Sequence, residues 1–223
     1  MKKIKKGGLI VSCQALEDEP LHGCEVMAKM ALAAKMGGAK GIRANSPRDI
    51  QAIKKEVDLP LIGLWKKNYA GFDIYISPTF EEIRAVLDAG ADYIAFDCTD
   101  RKRPEKLSSI FEKIHSQFPE KGIVADVATL GDVKGIIDLK PDFISTTMSG
   151  YTEASMGRPR PDLELIKQIK EITNIPVLAE GNYQSGKQCR NALTYGAYAV
   201  VIGTAITRPQ VITKKIINEM KEI

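Results

Sequence analysis

The sequence predicts a single (β/α)8 barrel, and three observations lead to this fold class. Strand-like and helix-like segments alternate from end to end, which favours a parallel sheet wrapped by helices. Eight such units fit into 223 residues at about 28 residues each, and eight regular units favour a closed barrel over an open sheet. The phrase Asp58-Leu-Pro-Leu-Ile-Gly63 is echoed in the second half by Asn174-Ile-Pro-Val-Leu-Ala179. We therefore expect one domain over residues 1–223.

Short apolar runs rich in Val, Ile and Leu are the predicted strands, because parallel strands are buried on both faces. In chain order they cover residues 8–14, 40–43, 59–66, 93–97, 122–126, 143–147, 176–180 and 199–203. Each run ends in a polar residue or a glycine, which marks the start of the connection to the next helix.

Longer segments between these runs are the predicted helices. They cover residues 24–36, 47–56, 79–88, 107–118, 132–139, 163–172, 184–195 and 209–220. Ser46 supplies an N-cap before Pro47 at the first helical position, and Thr79 with Glu82 forms a capping box.

Two connections are longer than a barrel needs. Residues 68–78 are expected to cover the mouth or to pack against a second subunit, and residues 149–161 could form a lid.

Composition excludes several classes of function. The net charge of +4 suits an anionic metabolite but is too small and too dispersed for nucleic acid. The apolar run over residues 9–11 is too short for a signal peptide, and none reaches the roughly 20 residues that span a bilayer. The cysteines are scattered, which is typical of reduced thiols in a cytoplasmic protein. With only His22 and His115, no metal-ligand spacing occurs, and we expect neither a metal nor a cofactor.

Polar residues stand at the end of every predicted strand. In order they are Gln14, Arg43, Lys66, Asp97, Asp126, Thr146 or Thr147, Glu180, and Thr204 with Arg208 just beyond. The carboxyl ends of barrel strands form the active-site face. Loop starts are generally polar, which accounts for some of these residues individually, but alternating cations and anions around one mouth indicate a ligand site.

Lys66 is the strongest candidate for a catalytic residue. A lysine that is partly desolvated beside a cation such as Arg43 has its ammonium form disfavoured, so it can act as a neutral base. The alternatives are a structural ion pair with Glu180 or Asp126, or simple exposure like that of Lys67.

The other polar residues at the strand ends each have two interpretations. Arg43 can clamp an oxygen-rich ligand with its planar fork, or pair with a neighbouring carboxylate. Asp126 and Glu180 can orient sugar hydroxyls or hold Lys66 in place, or they can simply neutralise the two cations. Gln14 can bond an amide or hydroxyl of the ligand, or be a satisfied buried amide.

A phosphate site is predicted after the last two strands. Backbone N–H groups of Gly181, Asn182, Gly203 and Thr204 can bind an anion at the position where (β/α)8 barrels commonly bind phosphate. Arg208 could add a charge-assisted hydrogen bond to the same anion, although it could also be a surface charge.

Several longer phrases give the chain a specific resemblance. They are Gly8-Leu-Ile-Val-Ser-Cys-Gln14, Gly41-Ile-Arg-Ala44, Ala89-Gly-Ala-Asp-Tyr-Ile-Ala-Phe-Asp97, Thr146-Thr-Met-Ser-Gly-Tyr-Thr152, Ala179-Glu-Gly181 and Ile202-Gly-Thr-Ala205. In these phrases the chain resembles the N-acetylmannosamine-6-phosphate 2-epimerase family over nearly its whole length. Small departures are Trp65 and Lys67 on either side of Lys66.

The resemblance implies a metal-independent barrel, usually a homodimer, that interconverts N-acetylmannosamine 6-phosphate and N-acetylglucosamine 6-phosphate in sialic-acid breakdown. It implies that Lys66 transfers the proton, with Glu180 as its acidic partner. It also implies that the substrate site is lined by Gln14, Arg43, Asp126 and Arg208.

Two other functions fit the same residues. A lysine beside a carboxylate at a strand end also describes a Schiff-base aldolase, and the barrel could instead bind a phosphosugar without turning it over.

Overall fold

Eight parallel strands close into a barrel in the computed structural model, which describes residues 1–221. They are β1 (Leu9–Cys13), β2 (Gly41–Asn45), β3 (Leu61–Leu64), β4 (Tyr93–Asp97), β5 (Gly122–Asp126), β6 (Phe143–Ser145), β7 (Val177–Glu180) and β8 (Ala199–Ile202). Each strand pairs with the next, and β1 closes the barrel against β8 with Ile10 opposite Val201. The predicted fold class is confirmed. The expectation of one domain over residues 1–223 stays a prediction, and residues 222 and 223 lie outside the described part.

Helices follow the strands around the outside of the barrel. They are α1 (Cys24–Met36), α2 (Pro47–Glu56), α3 (Phe80–Asp88), α4 (Leu107–Gln117), α5 (Leu130–Ile136), α6 (Leu163–Ile172), α7 (Gly186–Thr194), α8 (Thr204–Thr207) and α9 (Pro209–Glu219). Ser46 caps α2 by accepting the Asp49 N–H at 3.2 Å, and the Thr79–Glu82 capping box opens α3. Across residues 1–221 none of these helices combines the length and the apolar character that crossing a membrane requires.

The structure differs from the expected elements where short helical turns occur. Helix α5 begins at Leu130, two residues before the predicted start, because Thr129 and Asp132 form a second capping box. A 3-10 turn (Thr146–Met148) follows β6, and α8 forms one turn between β8 and α9. Elements of a single turn have no apolar period, so the sequence pattern does not distinguish them from loops.

Apolar side chains pack in two layers, one inside the barrel and one between the strands and the helices. Ile62 and Val201 belong to the inner layer, and Ile50 and Val86 to the outer one. Gly63 in β3 allows the close packing of the outer layer, because a Cβ atom there would lie 2.5 Å from Val86 Cγ1. The inner layer is apolar up to the carboxyl ends of the strands, where charged side chains begin.

Residues 65–78 fold back between the ends of β3 and β4. Lys66 and Ile76 form an antiparallel bridge, and the Ile76 carbonyl accepts the N–H of Asp97 at 3.0 Å. Ser77 closes the segment, since its N–H donates to the Trp65 carbonyl at 2.9 Å. The segment therefore forms one wall of the barrel mouth.

Candidate active site

A cavity of about 620 Å³ opens at the carboxyl ends of the strands. Nine of the residues predicted to form the site line this cavity, and they are Gln14, Arg43, Lys66, Glu180, Gly181, Asn182, Gly203, Thr204 and Arg208. The tenth, Asp126, is fully buried and is not part of the cavity wall. The strand-end pattern thus placed nine of its ten residues around one cavity. Their roles in binding and catalysis stay predictions.

Arg43 forms a buried ion-pair cluster at the base of the cavity. Its Nη2 lies 2.6 Å from Asp126 Oδ2, and its Nη1 lies 3.1 Å from Asp126 Oδ1 and 2.9 Å from Glu180 Oε2. Burial opposes the charge of the guanidinium, but the two carboxylates hold the pKa of Arg43 above its ordinary value. Arg43 is therefore a permanent cation beneath the ligand cavity, as in the ion-pair alternative.

Asp126 supports this arginine from below. Besides its two bonds to Arg43, its Oδ1 accepts the Thr147 hydroxyl at 2.6 Å. Its side chain is 0% exposed, which favours the neutralising alternative. Direct contact between Asp126 and a substrate stays a prediction.

Glu180 ends β7 and reaches the cavity with one of its two carboxylate oxygens. Its Oε2 accepts from Arg43 and from Ser145 Oγ at 3.4 Å, and Thr147 Oγ1, which makes its shorter hydrogen bond to Asp126, lies 3.2 Å away. Its Oε1 makes no hydrogen bond within residues 1–221 and remains available to a ligand. Burial raises the pKa of Glu180, Arg43 lowers it, and the neighbouring Asp126 charge raises it again, with a net upward shift.

Lys66 stands just beyond β3 with its amine free of ion pairs. Its backbone N–H donates to Asn45 Oδ1 at 2.9 Å, which fixes the chain at the rim. No carboxylate of residues 1–221 lies within 4.0 Å of its Nζ, so neither ion-pair alternative is formed. Burial, and then the positive charge of Arg43, lower the pKa of Lys66, with Glu180 acting in the opposite direction.

The predicted phosphate site consists of four backbone amides without partners. The N–H groups of Gly181, Asn182, Gly203 and Thr204 make no hydrogen bond to any group in the described chain, residues 1–221. Gly181 and Asn182 both have positive φ, +112° and +60°, a backbone that turns successive N–H groups away from the strand. Such amides at the mouth of a cavity are suited to an oxyanion. Phosphate binding there stays a prediction.

Gln14 and Arg208 both contact neighbouring side chains. The side-chain amide of Gln14 donates to Ser12 Oγ at 2.6 Å. Its hydrogen bonds are therefore partly satisfied within the protein, which favours the alternative of a satisfied amide. Arg208 donates from Nε to Glu19 Oε1 at 2.7 Å and is half-buried in the cavity wall. It is therefore not a simple surface charge.

A family model described as "Putative N-acetylmannosamine-6-phosphate epimerase" matches residues 27–222. The chain belongs to this family. The family suggested by resemblance is thus confirmed, and the enzyme class is that of an isomerase.

Similar proteins cover the whole chain. A relative from Listeria welshimeri named "Putative N-acetylmannosamine-6-phosphate 2-epimerase" is 46% identical over 226 residues, which span 100% of this chain and 96% of the relative. A relative of the same name from Caldanaerobacter subterraneus is 48% identical over 219 residues, with coverage of 97% and 92%.

Solved structures agree with the barrel of this epimerase-family chain. The N-acetylmannosamine-6-phosphate 2-epimerase from Clostridium perfringens superposes with a TM-score of 0.93 at 43% identity and covers 96% of this chain and 94% of its own. The thiamine phosphate pyrophosphorylase from Pyrococcus furiosus superposes at 0.60 with 18% identity, over 92% of this chain and 88% of its own. At that identity the likeness shows the fold alone.

Some cavity residues of this epimerase-family chain were not predicted. Ser12 points into the mouth from within β1, and an isolated serine in an apolar strand was the available signal. Glu19 lies in the loop after β1 among exposed acidic residues, so nothing in the sequence singled it out. Tyr75 and Tyr151 come from the two long connections. The length of these connections was noted in the sequence, but it indicated no role for the two tyrosine side chains.

Proposed function

We propose that the chain interconverts N-acetylmannosamine 6-phosphate and N-acetylglucosamine 6-phosphate by removing and returning the proton at C2. The observation that carries this proposal is the Lys66 amine, which faces the cavity without a carboxylate partner while burial and Arg43 lower its pKa. A neutral amine in that position is the base that abstraction of a carbon-bound proton requires.

Proton removal requires the open form of the sugar. In this form C2 lies next to the C1 aldehyde, so the electron pair left by the C2 proton moves onto the aldehyde oxygen and gives an enolate. Lys66 Nζ takes the proton, and the buried charge of Arg43 together with the new ammonium of Lys66 favours the negative enolate. The proton held by Lys66 is then returned to the opposite face of C2, directly or through the sugar hydroxyl beside Glu180, and the C1 aldehyde forms again, which gives the other epimer.

Glu180 and the phosphate site hold the sugar in this position. The unbonded Oε1 of Glu180 is available to accept a hydrogen bond from a sugar hydroxyl. This bond orients the open-chain sugar, and it places that hydroxyl where it can take part in returning the proton to C2. The four amides of residues 181, 182, 203 and 204 bind the phosphate at the other end, and Arg208 adds charge. Fixing both ends of an open-chain sugar keeps C2 within reach of Lys66.

Solvent exchange tests the proposal directly. Incubation with N-acetylmannosamine 6-phosphate in deuterated water, followed by NMR, is expected to show deuterium at C2 and the appearance of the second epimer. The Lys66→Met variant is expected to lose at least about 100-fold in exchange, the contribution of a positioned base, while it still binds the sugar phosphate. The exposed neighbour provides a matched control, since Lys67→Met is expected to keep full exchange.

Three other outcomes would contradict the proposal. Undiminished exchange in Lys66→Met would exclude Lys66 as the base. Binding without any C2 exchange in the natural protein would indicate a phosphosugar-binding protein. A covalent adduct on Lys66 after borohydride treatment with substrate would indicate a Schiff-base aldolase instead.

We also propose that the enzyme is a cytoplasmic homodimer that acts without a metal in sialic-acid catabolism. The dimer is supported by the end of α9, where Ile217 and Met220 are 44% and 69% exposed and do not line the cavity, since subunits cover exposed apolar side chains of this kind. Light scattering after gel filtration is expected to give the mass of two chains. Activity is expected to survive exhaustive dialysis against EDTA, and its loss would contradict metal independence.

A further inference from the structure

The loop after β1 contacts the start of α9 at one side of the cavity, where β1 and β8 are neighbours, and Glu19 makes that connection. Its Oε1 accepts from Arg208 Nε at 2.7 Å, from Arg208 Nη2, and from Gln210 Nε2 at 2.8 Å. Its Oε2 accepts the N–H of Leu16 at 2.9 Å. Both oxygens are therefore in use, and the Glu19 side chain is only 11% exposed although it belongs to a surface loop.

Glu19 contacts one edge of the Arg208 guanidinium. The Nε and Nη2 atoms donate to the carboxylate, while Nη1 makes no hydrogen bond within residues 1–221. A guanidinium is planar, so fixing one edge also fixes the direction of the remaining N–H groups. Arg208 lines the cavity that also contains the unpaired amides of Gly203 and Thr204.

We infer that Glu19 is a positioning residue, which holds Arg208 so that its free N–H groups face the phosphate end of the substrate. This inference rests on the proposed function, because it assigns a residue to the anion end of that same site. Glu19 touches no reacting atom in this assignment and acts on the phosphate through the arginine, although its charge also raises the pKa of Lys66. Without it, the long and 36% exposed Arg208 side chain would be free to turn into solvent, and binding would then require ordering the side chain again.

The carboxylate also has a cost, because its negative charge lies near the bound anion. Burial opposes its charge, but the Leu16 N–H and Arg208 hold the pKa of Glu19 below its ordinary value, so it remains charged near neutral pH. Since Glu19 is already hydrogen-bonded by four donors, much of its charge is compensated within the protein. For Glu19 to favour phosphate binding, the orientation that it gives Arg208 must outweigh the remaining repulsion.

Phosphate binding in solution tests the inference without any turnover. Isothermal titration with inorganic phosphate is expected to show about tenfold weaker binding for Glu19→Gln, the order expected when charge-assisted hydrogen bonds are lost. The exposed Glu17 of the same loop gives a control with the same change of charge. Glu17→Gln is expected to alter binding by less than about twofold, because exposed charges are screened by salt.

A double-mutant cycle separates positioning from a general effect of the loop. In an Arg208→Ala background, Glu19→Gln is expected to cause no further loss of phosphate affinity, because the residue through which it acts is gone. In steady-state epimerisation, Glu19→Gln is expected to raise KM while kcat at saturating substrate stays within about twofold of the natural value.

Two results would overturn the inference. Phosphate binding by Glu19→Gln that equals or exceeds that of the natural protein would mean that the carboxylate competes with the ligand rather than preparing its site. Additive losses in the Glu19 and Arg208 variants would mean that Glu19 acts independently of the arginine. If the phosphate cycle holds but no variant, nor the natural protein, exchanges the C2 proton, the proposed function alone would be refuted.

Discussion

Lys66 and Arg43 are two basic residues of the same cavity, and their surroundings differ. Arg43 is paired with two carboxylates and keeps its charge when buried. Lys66 has no carboxylate within ion-pair distance in residues 1–221, so burial and the nearby guanidinium act against its charge. This difference makes the arginine a fixed charge and the lysine a group that can exchange a proton.

The pH dependence of turnover follows from the charge state of Lys66. As a base, Lys66 must be neutral, and its pKa lies below the ordinary lysine value of 10.5. We therefore expect kcat/KM for C2 exchange to rise with pH, with the midpoint of the rise below 10.5. The measurement is the initial exchange rate across the alkaline range in buffers of constant ionic strength. A rate that is independent of pH over this range, or that falls as Lys66 loses its proton, would contradict the assignment of a neutral lysine base.

The residues of the site were predictable as a set, but their pairings were not. Position at a strand end identified Arg43, Lys66 and Glu180, because barrel topology brings every strand end to one face. Which carboxylate would pair with Arg43 depends on side-chain directions across the barrel, and no local pattern encodes these. For the same reason, the sequence left open whether Lys66 is paired or free.

Among the elements, five were predicted with the bounds that the structure shows. The predicted bounds of α1, α2, α6, β4 and β5 agree with the structure. In α2 this agreement has a clear cause, since Ser46 and Pro47 fix its first turn. The single turn of α8 was missed, because four residues are too few to show a helical period. The fold-back of residues 65–78 was likewise not visible, since its hydrogen bonds join its two ends to each other and to β4 and not neighbours in sequence.

Ser77 is the residue that fastens this fold-back segment. Its hydroxyl donates to the Ala95 carbonyl at 2.9 Å and accepts the Trp65 N–H at 3.0 Å, and the side chain is 1% exposed. Ser77→Ala is expected to lower the free energy of unfolding by about 1–3 kcal/mol, because buried backbone groups lose their partner. It is also expected to lower kcat, since Trp65 directly precedes Lys66, the proposed base.

Urea denaturation and the C2 exchange rate check the Ser77 prediction. The matched control is Ser116→Ala in α4, which removes only an exposed hydroxyl bonded to its own helix, and we expect a change within about 0.5 kcal/mol. Equal stability of the two alanine variants would show that the fold-back segment does not depend on this hydroxyl.

At the scale of the whole molecule, the Arg43 cluster joins strands that are not neighbours in the sheet. Arg43 comes from β2, Asp126 from β5 and Glu180 from β7, so the cluster crosses the top of the barrel. The apolar inner layer lies beneath it. This cluster is the floor of the cavity. Its upper side is polar and faces the cavity, and its lower side packs on the apolar core. The binding site and the stability of the barrel are therefore coupled through one side chain.

Removal of that side chain should destabilise the whole barrel. In Arg43→Met, Asp126 and Glu180 lose their shared cation while they remain buried, and loss of one partner from a buried ion pair typically costs about 3–5 kcal/mol. The loss should be smaller at lower pH, because binding of a proton by Glu180, whose pKa is already raised, relieves the repulsion between the two carboxylates. The folded variant then binds more protons than the unfolded chain, so its stability falls as pH rises.

Urea unfolding of Arg43→Met at mildly acidic and mildly alkaline pH measures both effects. The control is Arg84→Met in α3, where an arginine that is 66% exposed pairs with Asp88 at 3.5 Å. A surface pair of this kind contributes about 0–1 kcal/mol, and its loss should show no comparable dependence on pH. If Arg43→Met proved as stable as Arg84→Met at alkaline pH, the two carboxylates would have to find compensation elsewhere, and the barrel would not depend on the arginine at its centre.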